Sequence, residues 1–253
     1  MGNLSINDGA YLIEVGESGP TRNGLILHLD AGNTDSYRGG GTWYDISGRA
    51  NHIAVLPAAF NPSGPKYMDF NGSYGCAKYQ SSDFVPGTNT ITAVLWTRIL
   101  NNTTDWRTLF RGLSSSNNHQ VIVQSAAYAI GMYDNDFASG FRTSGYSQQS
   151  LPGYNTGRWN MLMWRWQGSS PYYQLSINDA PGTILGQSTD SRAGWGATRG
   201  FCSLGAYNNS NQSVLTICSQ FWGDIASVRL YNRVLTNAEL LNIWNATKGR
   251  FAL

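Results

Sequence analysis

The stretch Phe221-Trp222-Gly223-Asp224-Ile225-Ala226-Ser227-Val228-Arg229-Leu230-Tyr231-Asn232-Arg233-Val234-Leu235-Thr236-Asn237-Ala238-Glu239 changes its period part-way along. Ala226, Val228 and Leu230 alternate with Ser227, Arg229 and Tyr231, the two-residue repeat of a strand. Thr236-Asn237-Ala238-Glu239 then has capping-box spacing: the Thr236 hydroxyl accepts from the Glu239 backbone N–H, and the Glu239 carboxylate reaches back. Leu235 and Leu240 flank the cap as a hydrophobic staple, and Leu240, Leu241 and Trp244 fall on one helical face. Gly249 reads as the terminator. A strand therefore runs into one short helix near the end, which is expected to plug an edge of the sheets.

The same strand period recurs upstream. Leu25, Leu27 and Leu29 alternate with Ile26, His28 and Asp30, and Ile91, Ala93 and Leu95 with Thr92, Val94 and Trp96. Tyr173, Leu175 and Ile177 alternate with Tyr172, Gln174 and Ser176. Met161 and Met163 alternate with Leu162, Trp164 and Trp166, so that strand is apolar on both faces and hence central. Such runs, bounded by Gly, Pro, Asn and Ser, predict an all-β antiparallel β-sandwich with one short C-terminal helix. Residues 1–21 read as a polar N-terminal arm and residues 22–253 as one jelly-roll domain. Tyr11, Ile13 and Val15 give the arm a short strand able to pair with its own sheet or with a neighbouring chain's edge.

Composition agrees. Charged residues make up 13% of the chain, and polarity comes from Asn, Ser, Gln, Thr and 29 Gly, with 9 Trp and 14 Tyr. That mixture suits short strands, turns and amphipathic aromatic surfaces. Net charge is +2 without a Lys or Arg run, which predicts no nucleic-acid stripe. No apolar stretch reaches the length of a membrane span. The N-terminal segment lacks the basic start and apolar core of a signal peptide. Cys76, Cys202 and Cys218 are odd in number and widely spaced, the pattern of free thiols.

Several elements, in order, carry a resemblance. They are Gly24 to Asn33, the Trp43-Tyr44-Asp45-Ile46-Ser47-Gly48 run with Asn51, Tyr67 to Gly72, Thr90 to Arg98, Arg158-Trp159-Asn160, Ile177-Asn178-Asp179 and Phe221 to Glu239. Together they resemble the concanavalin A-like lectin/glucanase superfamily in its laminin-G-like branch, including modules found in phage and virus structural proteins. The resemblance implies a concanavalin A-like jelly roll, with Trp43, Trp96, Trp159 and Trp164 in the core. It says little about activity, because such sandwiches host lectins, glycosidases and structural modules.

Glucanases of that superfamily need paired acids on one strand. Of the three glutamates here, Glu14 and Glu17 lie in the arm and Glu239 in the helix cap. Among twelve aspartates, Asp134 and Asp136 stand two apart. There is no G-x-S-x-G elbow, and His28, His52 and His119 are scattered. The expectation is therefore of a protein that is not an enzyme. Tyr133-Asp134-Asn135-Asp136-Phe137 reads as a hairpin turn or as a calcium loop through Asp134 and Asp136. His28 and Asp30 share a strand face, which could hold a metal or reflect the strand alone. Carbohydrate binding needs an aromatic face beside amide or carboxylate groups. Trp106, Tyr146, Tyr154, Trp195 and Tyr207 sit in such loops, or else cover a sandwich end or meet neighbouring subunits.

Three functional readings follow. The first is a virion structural or adhesion protein, its arm or a sheet edge docking on other subunits or on copies of itself and its loops recognising surface glycans. The second is a free-standing carbohydrate-binding lectin module. The third is a glycan-active hydrolase using Asp134 and Asp136.

Overall fold

The computed structural model describes residues 20–55, 59–71, 77–80, 90–100, 107–112, 119–124, 129–133, 149–150, 157–167, 169, 173–184, 186–188, 201–205, 207–208, 217–218 and 221–253. The strands are β1 (Leu25–Asp30), β2 (Thr42–Trp43), β3 (Ile53–Val55), β4 (Ala59–Asn61), β5 (Tyr67–Asn71), β6 (Ala77–Gln80), β7 (Ile91–Ile99), β8 (Arg107–Gly112) and β9 (His119–Gln124). They continue as β10 (Ala129–Tyr133), β11 (Gln149–Ser150), β12 (Asn160–Trp166), β13 (Tyr173–Ile177), β14 (Gly186–Ser188), β15 (Phe201–Leu204), β16 (Tyr207–Asn208), β17 (Ile217–Cys218) and β18 (Trp222–Tyr231). One helix, α1 (Asn237–Thr247), runs into a 3₁₀ turn over Lys248–Phe251.

Two eight-stranded antiparallel sheets make the body. The first runs β14-β13-β12-β7-β18-β5-β4, with β1 also on β18; the second runs β11-β10-β9-β8-β15-β6-β3-β2. Inward residues of the first sheet, among them Leu27, Leu29, Phe70, Leu95, Leu162 and Val228, pack with Trp43, Ile53, Leu109 and Leu204 of the second. This is the β-sandwich that the period-two runs predict. Among the described residues no helix is long and apolar enough to cross a membrane.

Strands β7 and β12 are buried along both faces, as the double-sided apolarity of Met161–Trp166 demands. The inner face meets the second sheet. The outer face, with Val94, Trp96, Met161 and Met163, lies beneath Leu240, Ile243, Trp244 and Phe251. The helix therefore roofs a face of the first sheet instead of plugging an edge. Trp96 stacks on Phe251 with centroids 3.9 Å apart and on Trp244 at 5.3 Å. Its indole N–H donates to Thr247 Oγ1 at 2.9 Å.

The capping box at Thr236 and Glu239 is present, and Arg233 adds a two-nitrogen clasp on the Glu239 carboxylate. That clasp is the main cause that holds Glu239 down to about 2. Two details differ from expectation. Ile243 is buried with Leu240 and Trp244, while Leu241 is 38% exposed. Gly249 lies inside the 3₁₀ turn, and Ala252 takes the left-handed conformation that ends it.

The Trp43-x-Asp45-x-Ser47-Gly48-x-x-Asn51 element is a hydrogen-bond hub. Asp45 Oδ1 accepts from the His28 and Ser47 amides at 2.7 and 2.8 Å, and Oδ2 accepts from the Ser47 hydroxyl and the Asn51 amide. Asn51 Nδ2 donates to the Ile26 carbonyl at 2.6 Å. The hub thus ties the loop after β2 to β1. Asn178 plays a similar part at the β13 end, where it takes the positive φ that its turn needs. Its side chain accepts from the Met161 amide and donates to Asn160.

Candidate functional site

The site begins with a change of partner along β18. This ten-residue strand carries a bulge between Ile225 and Ser227. On one side of the bulge Trp222–Ile225 pair with β5, and on the other Ser227–Tyr231 pair with β1. Two short strands thus share one edge of a long one, and a cleft of about 530 Å³ opens where the first gives way to the second. Asp30, Gly32, Asn33 and Thr34 line it from the β1 side, and Gly64, Pro65 and Lys66 from the β5 side.

Arg250, from the 3₁₀ turn, bridges the two walls. Its guanidinium donates to the Asp30 carboxylate and to the Pro65 and Lys66 carbonyls. A Cβ on Gly32 would lie 2.6 Å from the Arg250 Cζ, so a larger residue there would displace the guanidinium from its bridge. Asp30 Oδ1 also accepts from the Gly32 amide at 2.7 Å, and the Asp30 amide donates to Ser36 Oγ at 2.9 Å. The carboxylate therefore both shapes the wall and anchors the bridge. Asn33 Oδ1 accepts from the Asp35 amide at 2.8 Å, and Asn33 and Thr34 both line the cleft.

Two buried groups lie behind the cleft. Arg229 is almost wholly buried, which lowers its pKa; the neighbouring Tyr231 and Asp30 raise it and Arg250 lowers it further. His28, its cross-strand partner, is pushed down to about 2 by burial first and by Arg229 and Arg22 next. His28 and Asp30 do share a face, yet a metal there would meet arginines on the same side. Among the described residues no group of three metal-ligating side chains converges.

A second polar row crosses the same outer face. Register places Asp69 of β5 against Asp224 of β18, and Asp224 against Arg98 of β7. Arg98 Nε lies 2.5 Å from Asp224 Oδ2, and its guanidinium sits over the rings of Tyr67 and Trp159 at 5.0 and 5.1 Å. Burial raises Asp224 to about 6 despite the Arg98 hydrogen bond, and it raises Asp69 as well. Trp222 stands two residues along β18 from Asp224, on the same face, and is 41% exposed. A buried acid, Asp224, a half-buried one, Asp69, one arginine and an open indole therefore lie together.

Sequence reasoning missed both groups, because residues 30–34, 64–66 and 250 meet only through the fold, and Asp69 meets Asp224 only through register. Of the carbohydrate-binding candidates, Tyr207 falls in β16, paired with Cys218 of β17. Trp106, Tyr146, Tyr154 and Trp195 lie outside the described residues, as do Asp134, Asp136 and residues 1–19 of the arm.

No family model and no curated protein matches the chain. Solved structures do. The Trypanosoma rangeli sialidase in complex with sialic acid superposes with a TM-score of 0.62 at 14% identity, covering 97% of this chain and 36% of that one. Its covalent intermediate with 2,3-difluorosialic acid gives 0.61 at 15%, over 87% and 33%. A botulinum neurotoxin type C structure, titled for cell entry through two ganglioside molecules, gives 0.61 at 13%, over 89% and 52%. The chain spans about a third of the sialidases and about half of the toxin chain. At such identities the likeness shows the β-sandwich fold.

The expectation that the chain is not an enzyme is corrected here. It rested on the lack of paired glutamates along one strand, whereas the solved structures that superpose on the chain include sialidases, at 15% and 14% identity and over about a third of their length. The chain also pairs acids across strands, at Asp69 and Asp224, where a strand-by-strand reading does not look.

Proposed function

We propose that this chain is a glycan-recognising β-sandwich, of the laminin-G-like branch that its ordered sequence elements resemble, with the cleft between β1 and β5 as its ligand site. The observation that carries the reading is the cleft itself: about 530 Å³ walled by Asp30, Asn33, Thr34 and Lys66, whose hydrogen-bonding groups suit sugar hydroxyls. Side-chain amides, hydroxyls and carboxylates supply the donors and acceptors that ring hydroxyls need. Support also comes from neighbours whose own titles name sialic acid and gangliosides. Trp106, Tyr146, Tyr154, Trp195 and Tyr207 stay in this reading as stacking platforms for longer glycans, and Asp134 and Asp136 as a calcium loop. The setting in the same reading is a virion, with residues 1–21 or a free sheet edge docking on other subunits; its support is the sequence alone.

The test is a glycan array probed with the full chain. Binding to a defined set of glycans is expected, with a loss of about tenfold in Asn33→Ala, as one or two polar contacts would give. A blank array with folded protein would overturn the reading.

A further inference from the structure

We infer that the cleft between β1 and β5 selects glycans that end in an anionic sugar, with the negative group beside Lys66. This rests on the glycan-binding reading and adds the chemical class of the ligand.

The inference comes from the charges around the cleft. Asp30 is the one carboxylate among its lining residues, and it is already engaged by Arg250 and by the Gly32 amide. Arg250 in turn has its three nitrogens occupied by Asp30 and by the Pro65 and Lys66 carbonyls. That pair is roughly neutral, with each Arg250 nitrogen already donating once. Lys66 lines the same opening and has no acidic partner among the described residues. Behind the wall, Arg229 adds a second cation, close enough to Asp30 and Arg250 to feel both. The local sum is two positive charges beyond that pair.

A neutral sugar leaves that excess unmatched, whereas a carboxylate or sulfate meets it. A charge-assisted bond from an ammonium is roughly twice as strong as a neutral one. Asn33 Nδ2 and the Thr34 hydroxyl stand on the opposite wall, where they can take the remaining hydroxyls of the same ring. The backbone at Lys66 is held in a left-handed conformation at φ 49. It sits directly after Pro65, whose carbonyl Arg250 also holds, so the bridge sets the backbone from which the ammonium stem springs.

The experiment titrates the full chain by calorimetry with 3′-sialyllactose, 3′-sulfolactose and lactose. Expected is at least about tenfold tighter binding of an anionic trisaccharide or sulfated disaccharide than of lactose, weakening as salt is raised. Equal binding of the sialylated and sulfated sugars means that charge alone is read; preference for the sialylated one means that the carboxylated ring is read. Lys66→Asn, which tolerates the left-handed backbone, should bring the anionic sugars down to the lactose level without lowering the melting temperature, and Lys66→Arg should restore them. Lactose bound as tightly as the anionic sugars, or an undiminished preference in Lys66→Asn, would overturn the inference and leave glycan recognition standing. No binding of any glycan, on the array or here, would overturn both.

Discussion

Single side chains on this sandwich act as ties between segments distant in sequence, and Asp45 is the strongest example. Its carboxylate accepts four hydrogen bonds, joining the loop after β2 to β1. Bonds to a charged acceptor contribute about 1.5–3 kcal/mol each and are not additive, so Asp45→Ala should cost at least about 3 kcal/mol in chemical denaturation. Asp45→Asn, which keeps the shape and half of the acceptors, should cost less. The sequence displays this element through the spacing of Trp43, Asp45, Ser47 and Asn51. It does not display which backbone the Asp45 carboxylate and the Asn51 amide serve, because His28 and Ile26 lie on another strand.

Two buried titrating groups make opposite contributions with pH. His28 falls from 6.5 to about 2 on folding, so the unfolded chain binds its proton first, and stability drops as pH falls below about 6.5. Asp224 rises from 3.8 to about 6, so the folded chain holds its proton longer, and stability drops as pH rises through about 4 to 6. Each slope is about 1.4 kcal/mol per pH unit. Relative to the parent protein, His28→Gln should therefore gain stability as pH is lowered from about 6 to 4. Asp224→Asn should gain over the same range as pH is raised. Denaturation curves at three pH values distinguish these slopes, and parallel curves would contradict the burial of both groups.

At the scale of elements, the helix shows where local chemistry suffices and where it does not. Its start was legible, since Thr236 and Glu239 satisfy each other's backbone within four residues. Thr236→Ala should lower stability by about 1 kcal/mol, read from the urea midpoint at unchanged slope. Its docking was not legible. Leu240, Leu241, Ile243 and Trp244 are all apolar, so two stripes fit the helical period, and only packing selects Ile243 over Leu241. The apolar outer residues of β7 and β12 announce a cover without naming it. The stop was misplaced for a related reason: the chain tightens into a 3₁₀ turn at Lys248, which carries Arg250 to the cleft, and the left-handed residue comes later at Ala252.

At the scale of the whole molecule, the two sheets follow from alternation because each strand shows one face to the shared core. The candidate site does not follow, because no local segment contains it. The cleft exists where β18 changes partner at its bulge, and its walls come from the ends of β1, the turn before β5 and the C-terminal turn. The paired acids Asp69 and Asp224 escape for the same reason, since they lie on different strands and meet only through register.

The central claim, that this cleft is where a glycan sits, is tested most directly by mapping amide shifts of the isotopically labelled full chain against the glycan ranked highest on the array. The account predicts that the largest changes fall at Gly32, Asn33, Thr34, Gly64 and Lys66. Changes confined to the surroundings of Trp106, Tyr146, Tyr154 or Trp195, with the cleft silent, would contradict it.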